Sequence, residues 1–259
     1  MTSETLLSGI RDIAREAGEI ILSAENERKK VTSKTGTANF VTEYDVKVQH
    51  FLQKELSGLL SEAGFLGEEE EEMRDLSREY VFVVDPIDGT TNFIRNYRMS
   101  CVSIALLRNS RPVIGVIYNP YSRECFYAEK GKGAFCNGRP IRVTENSLAD
   151  SLVIMGTSPY DRSLTDITFR QMREFFDHSL DIRRSGSAAI DLCSVSCGRA
   201  DAFLEMSLKP WDYAAGALIV TEAGGRVTDV NGEEPDFLKP SPILAGGLCH
   251  AECLRHIVK

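Results

Sequence analysis

No stretch of the chain approaches the roughly 20 consecutive apolar residues that a membrane-spanning helix needs. The first twenty residues also interleave Glu4, Arg11, Asp12, Arg15, Glu16 and Glu19 with the apolar ones, so the uninterrupted core of an export signal is missing. Both absences point to a soluble, cytoplasmic protein. Organised cysteine is missing too: there are seven, an odd number, with no CxxC pair among them. That pattern fits reduced thiols rather than a disulfide framework. Cys193 with Cys197, and Cys249 with Cys253, stand four apart on expected helices and read as buried structural thiols. The four histidines, His50, His178, His250 and His256, show no ligand spacing with one another. Basic charge is scarce: 30 Lys and Arg against 38 acids give a formal net charge of −8, which argues against a nucleic-acid partner, because backbone affinity comes from clustered cations. The pair Arg183-Arg184 reads as solvated surface. Neither a GxSxG elbow nor a Cys-His dyad is present, so a covalent nucleophile is not indicated.

What the chain does have is ordered alternation. Apolar residues at helical spacing over 6–22 and 41–60 predict two long amphipathic helices. After the brief apolar stretch 64–67 comes Tyr80-Val81-Phe82-Val83-Val84, a β-prone run expected to stop at Asp85-Pro86. Runs at 101–107, 112–118 and 124–128 are close enough for an antiparallel meander, while 130–138 reads as turn and loop. The second half interleaves strand-like 152–155, 181–184, 202–206, 226–228 and 242–245 with helices expected at 164–176, 187–196 and 211–223, then a closing helix. With no repeat and no low-complexity linker, one unit over 1–259 is expected, made of an N-terminal αβ half of about 1–148 and a C-terminal αβ half of about 149–259.

The chemistry concentrates in Val84-Asp85-Pro86-Ile87-Asp88-Gly89-Thr90-Thr91-Asn92-Phe93. A buried strand delivers Asp85, and two carboxylates three residues apart around a turn can converge on one cation or on two neighbouring ones. Gly89 lets the backbone approach closely, and Thr90-Thr91 can open a short helix whose N–H groups face an anion. Oxygen-only ligands suit hard cations such as Mg²⁺ or Mn²⁺. The pentapeptide alone could be an ordinary turn with a helix cap. Two further acidic sites raise its significance: Gly67-Glu68-Glu69 after an apolar stretch, and Trp211-Asp212 opening an apolar helix. Of the acidic run Glu68 to Glu72, the last three read as solvated loop. Gly131-Lys132-Gly133 lacks the third glycine of a dinucleotide loop and reads as a turn.

In order and separation, Gly67-Glu68-Glu69, Asp85 to Phe93, and Trp211-Asp212-Tyr213-Ala214-Ala215-Gly216 followed by Glu222-Ala223-Gly224-Gly225 resemble the signatures of the inositol monophosphatase family along essentially the whole chain. The resemblance implies an α+β fold, a layered αβαβα sandwich of the inositol monophosphatase and sugar phosphatase type. It also implies two or three Mg²⁺ ions, lithium sensitivity and a homodimer. Carried over by motif, Glu68, Asp85 and the carbonyl of Ile87 would hold one metal, and Asp85, Asp88 and Asp212 a second. Glu68 and Thr90 would orient the attacking water, supported by Asp45, which without the family reads as an exposed helix residue. Gly89 and Thr90 would carry the phosphate on their N–H groups. Two cations would neutralise a phosphate monoester dianion and favour in-line displacement. Ser187, Ala188 and Glu205 would line the pocket for the alcohol part, although Glu205 alone could simply end a surface strand. Thr91-Asn92 resembles inositol monophosphatases rather than the nucleotide-directed branch. The expected substrate is a small phosphorylated polyol or sugar, inositol monophosphate first. Broad sugar phosphatase activity that includes fructose 1,6-bisphosphate, or a regulatory binding role, is the alternative.

Overall fold

The computed structural model describes residues 2–24, 30–33, 40–69 and 75–258. Part of the polar stretch between the first two helices, and Glu70, Glu71 and Glu72, lie outside them. Helix α1 (Ser3–Ser23) starts where the Thr2 hydroxyl accepts the Thr5 N–H, and it buries Ile10, Ala14, Ala17 and Ile21 as one stripe. The second helix begins later than its periodicity suggests. Residues Phe40–Thr42 form β2, paired antiparallel with β1 (Val31–Ser33), and Thr42 caps α2 (Glu43–Leu59). The cap is reciprocal: Thr42 N–H donates to Asp45 Oδ2 at 2.7 Å while the Thr42 hydroxyl accepts from the first turn. Asp45 is thereby fully buried rather than exposed.

Seven strands form the larger sheet, in sequence order: β3 (Gly64–Gly67), β4 (Tyr80–Asp88), β5 (Cys101–Arg108), β6 (Arg111–Asn119), β7 (Glu124–Glu129), β8 (Ala134–Cys136) and β9 (Arg139–Pro140). Only the β3–β4 pair is parallel; β5, β6 and β7 are the expected meander. Two expectations need correction. The segment 130–138 is not all loop, because Ala134–Cys136 turns back on β7, with Phe135 stacked 5.5 Å from Tyr127. Its turn is held by Glu222, whose carboxylate accepts the N–H groups of Gly131 and Gly133 at 2.8 and 2.9 Å. Nor does β4 stop at Asp85: pairing to β5 shifts register and resumes at Asp88 opposite Cys101. Pro86, which has no N–H to offer a ladder, falls inside that irregularity.

A second sheet of five strands comprises β10 (Leu152–Met155), β11 (Asp181–Arg183), β12 (Ala202–Leu208), β13 (Arg226–Thr228) and β14 (Ser241–Gly246), in spatial order β11-β10-β12-β14-β13. The remaining helices are α3 (Thr90–Ile94), α4 (Thr165–His178), α5 (Ala188–Ser196), α6 (Pro210–Glu222) and α7 (His250–Arg255). Helices α1 and α2 cover one face of the larger sheet, burying Ile10, Leu52, Phe82 and Ile104 together. Helices α5 and α6 lie between the two sheets, and α4 and α7 cover the outer face of the second. The order of layers is therefore α, β, α, β, α. Sandwiched on both sides, α6 is apolar nearly all round and buries every residue from Tyr213 to Val220. Tyr213 is fully buried, and its hydroxyl donates toward the carbonyls of Asp236 and Lys239 at 2.7 and 2.8 Å. Truncating so large a side chain to alanine costs about 3–5 kcal/mol. All seven thiols are free, five of them buried.

Candidate active site

The layers bring β4, the first turn of α6 and the starts of α2, α3 and α5 to one place. Asp85 and Asp88 come from the irregular end of β4; Asp212 comes from the first turn of α6, where Pro210 stands near the helix start and Asp212 Oδ2 accepts the Lys209 N–H at 2.7 Å. One oxygen from each of these three carboxylates lies within 4.8 Å of the others. Asp85 Oδ1 also accepts the Ile87 N–H at 2.9 Å, which fixes the turn. Glu68 sits half-buried just past β3 and lines the same cleft, together with Ile87, Thr90 and Trp211. It stands outside the tight triad.

Such crowding has a direct electrostatic signature. Burial, followed by the charges of Glu68, Asp88, Asp212 and Asp45, pushes the Asp85 carboxyl well above the usual range. Asp212 is raised strongly as well, by burial and then by Asp88 and Glu68. Asp88 rises for the same first reason but is tempered by donors: the Ser187 hydroxyl and the Ala189 N–H, the latter at 2.8 Å, both reach its Oδ2. Buried like charges of this kind are costly until protons or a cation neutralise them, and a bound cation does so without protonating the ligands. The donor set is all oxygen, with the Ile87 carbonyl in the same cleft, so it fits a hard divalent ion.

Thr90 follows Gly89, whose φ of 88° lies in the left-handed region; a Cβ there would stand 2.8 Å from the Met99 carbonyl. The Thr90 hydroxyl lies 3.2 Å from Asp45 Oδ1 and 3.2 Å from the Ile87 carbonyl, and can give its one proton to either. Asn92 is buried and faces inward: its amide donates to the carbonyls of Met99 and Ser185 at 2.7 and 3.1 Å, tying the loop after α3 to the segment before α5.

On the other side of Asp88, Gly89, Thr90 and Asp212 opens a second cleft of about 160 Å³. Its walls include Ser187, Ala188 and Glu205, so these expected pocket residues do converge. Glu205 is buried, not a surface strand end; its Oε1 accepts the Ser158 N–H at 2.7 Å. Burial pushes its carboxyl up to about 7, against the Ser158 hydrogen bond and the Arg184 charge. Gly156 leaves room for it, since a Cβ at that position would lie 2.0 Å from Glu205 Oε2.

Three polar or charged side chains of this cleft were not anticipated: Tyr160, Arg184 and Asp191. Arg184 is exposed, as expected of solvated surface, but it also lines the cleft and donates to the Thr157 hydroxyl at 3.1 Å. Asp191 carried a signal that could have been used, a single acid within the apolar run Ala188–Ser196. It is buried with its Oδ1 unpartnered and its carboxyl raised well above the usual range, chiefly by burial. A roomier cleft of about 530 Å³, between the end of α6 and β13, is lined by Arg111, Lys130, Glu222 and Arg226 and brings no such carboxylate triad together.

A carboxylate triad fit for divalent ions, beside a hydroxyl-bearing turn in an αβαβα sandwich, defines a metal-dependent phosphomonoesterase. The sequence profile of the inositol monophosphatase family matches residues 3–259, and the chain belongs to that family. It is 41% identical to inositol monophosphatase 2 of Solanum lycopersicum over 87% of this chain and 88% of the relative. It is 36% identical to Nus factor SuhB of Xylella fastidiosa, over 95% and 91%. The crystal structure of the extragenic suppressor protein suhB from Bartonella henselae superposes with a TM-score of 0.92 at 37% identity, covering 98% of this chain and 99% of that one. Among the described residues, no helix is long and apolar enough to cross a membrane.

Proposed function

We propose that the enzyme hydrolyses inositol monophosphate to inositol and phosphate with Mg²⁺ as its ion. The observation that carries this reading is the pairing of two unlike clefts across Asp88, Gly89, Thr90 and Asp212: a carboxylate-rich one for cations, and one whose Glu205 and Asp191 offer acceptors to ring hydroxyls. Glu68, Asp85, the Ile87 carbonyl, Asp88 and Asp212 would hold the ions. When bound, they supply positive charge that neutralises the ester oxygens and lowers the pKa of water.

The protein's own groups do the positioning. Asp45, fixed by the α2 cap, holds the Thr90 hydroxyl, which with Glu68 orients the attacking water toward phosphorus. The N–H groups of Gly89 and Thr90 face the phosphate. Ser187 keeps Asp88 aimed at the junction of the clefts, while Ala188 forms an apolar wall for the ring. The relative from Solanum lycopersicum named an inositol monophosphatase supports this substrate. Mn²⁺ as an alternative ion, lithium sensitivity, a cytoplasmic homodimer and two αβ halves meeting near residue 148 belong to the same reading.

The relative named Nus factor SuhB favours a second reading, a regulatory role beside catalysis. Initial rates with inositol 1-phosphate, fructose 1,6-bisphosphate and p-nitrophenyl phosphate, each with Mg²⁺ and with EDTA, test the assignment. Inositol 1-phosphate should give the highest kcat/KM. Preference for fructose 1,6-bisphosphate would transfer the enzyme to the broad sugar phosphatases, and no Mg²⁺-dependent turnover would leave only the regulatory reading.

A further inference from the structure

The four histidines show no ligand spacing in the sequence, yet the fold brings two of them together. His178 ends α4, and His256 follows α7; their ring centroids are 4.3 Å apart. Glu174, one turn before His178, lies between them: its Oε1 is 2.8 Å from His256 Nδ1 and 3.4 Å from His178 Nδ1. One nitrogen from each ring and one carboxylate oxygen fall within 4.8 Å of one another.

The backbone that carries His256 is held against α4 by a buried side chain. Gln171, fully buried on α4, donates its amide to the His256 carbonyl at 3.0 Å and accepts the Val258 N–H at 2.7 Å. The segment bearing His256 is therefore tied to α4, the helix that also carries Glu174 and His178. His178 Nδ1 also lies 2.8 Å from the Glu174 carbonyl in the last turn of α4. Unpaired carbonyls at that helix end give it a partial negative charge that favours a cation.

We propose that Glu174, His178 and His256 form a second metal site, for Zn²⁺ or a like imidazole-seeking ion, that clasps the C-terminal segment to α4. Two imidazoles and one carboxylate are a ligand set that zinc uses with water in the fourth position. The two donor sets separate the ions by chemistry, because Mg²⁺ prefers oxygen and imidazole favours zinc, copper and nickel. The separation is also spatial: His178 ends the 14-residue α4, whereas Tyr160 of the substrate cleft precedes its start. All three side chains are 30–46% exposed, so an ion can enter without unfolding.

The test is a calorimetric titration with Zn²⁺ under saturating Mg²⁺, run on the wild type, Asp88→Asn, His178→Gln, His256→Gln and Glu174→Gln. A zinc site present in the wild type and in Asp88→Asn, weakened on the order of a hundredfold in each of the other three, is expected. Zinc should also slow amide exchange at Val258 in the wild type and leave it unchanged in His256→Gln. Unaltered Mg²⁺-dependent turnover, measured without zinc, shows that the three variants are folded. A zinc site that survives in His178→Gln and His256→Gln, one that disappears in Asp88→Asn, or no zinc uptake under Mg²⁺ would overturn the proposal.

Discussion

Replacing Glu205 by glutamine separates the electrostatic cost of this residue from its use. In the metal-free protein its carboxyl is raised by burial from 4.5 to about 7. A carboxyl raised on folding binds its proton more tightly in the folded state, so the stability it lends is complete below pH 4.5 and is lost as pH climbs through 7. The shift of about 2.5 units corresponds to roughly 3 kcal/mol at 1.36 kcal/mol per unit. Glutamine keeps the shape, can still accept the Ser158 N–H, and carries no charge at any pH. Relative to wild type, the variant should therefore gain about 3 kcal/mol of stability between pH 4.5 and pH 8. Urea unfolding in EDTA at several pH values measures this through the shift in midpoint. The buried triad titrates in both proteins and largely cancels in the difference. A difference independent of pH to within about 0.5 kcal/mol would show that Glu205 is solvated or paired, contrary to its burial.

The same substitution should raise KM for inositol 1-phosphate by about tenfold to a hundredfold, with little change for p-nitrophenyl phosphate, since a lost hydrogen bond to a charged acceptor is worth about 1.5–3 kcal/mol; equal losses would place Glu205 on the metals or the fold. Gly156→Ala should imitate that selective loss with a normal circular dichroism spectrum, because the new methyl group takes the space of the Glu205 carboxylate; unchanged kinetics would mean that Glu205 has slack. Thr90→Ala should lower kcat by about 10² to 10⁴ while Mg²⁺ affinity stays within a few fold, and Thr90→Ser should restore much of the rate. Recovery of the alanine variant at high Mg²⁺ would assign Thr90 to metal binding instead.

Much of the site was legible because local chemistry and long-range packing agree there. Asp85 is announced by the β-branched run before it, and Asp212 by the apolar helix it opens, so each lies at a boundary the sequence marks. The alternation of such runs predicted two αβ halves, whereas the order of layers came from the family resemblance. Periodicity failed where a tertiary contact overrides it: Val41 and Thr42 fit the helical pattern but pair with β1, and Ala134–Cys136 is strand only because β7 lies beside it. Pro86 looked like a stop, yet a bulge accommodates its missing N–H and lets pairing resume at Asp88. Tyr160 and Arg184 enter the cleft from connections in the second half, where no local pattern aims a side chain. The neighbourhood of Glu174 and His256 is invisible for a plainer reason, since 82 residues separate them in the chain.

Phosphate release from inositol 1-phosphate by Asp88→Asn, set against the wild type across a Mg²⁺ titration, tests the catalytic role of the carboxylate triad most directly. The amide keeps the shape that meets Ser187 and Ala189 but removes one unit of charge from the cluster. Loss of turnover by several orders of magnitude at every Mg²⁺ concentration, in a variant that unfolds cooperatively like the wild type, is the predicted result. Turnover within a few fold of wild type at saturating Mg²⁺ would contradict it, because the Asp85, Asp88 and Asp212 triad could not then be the site where the metal acts.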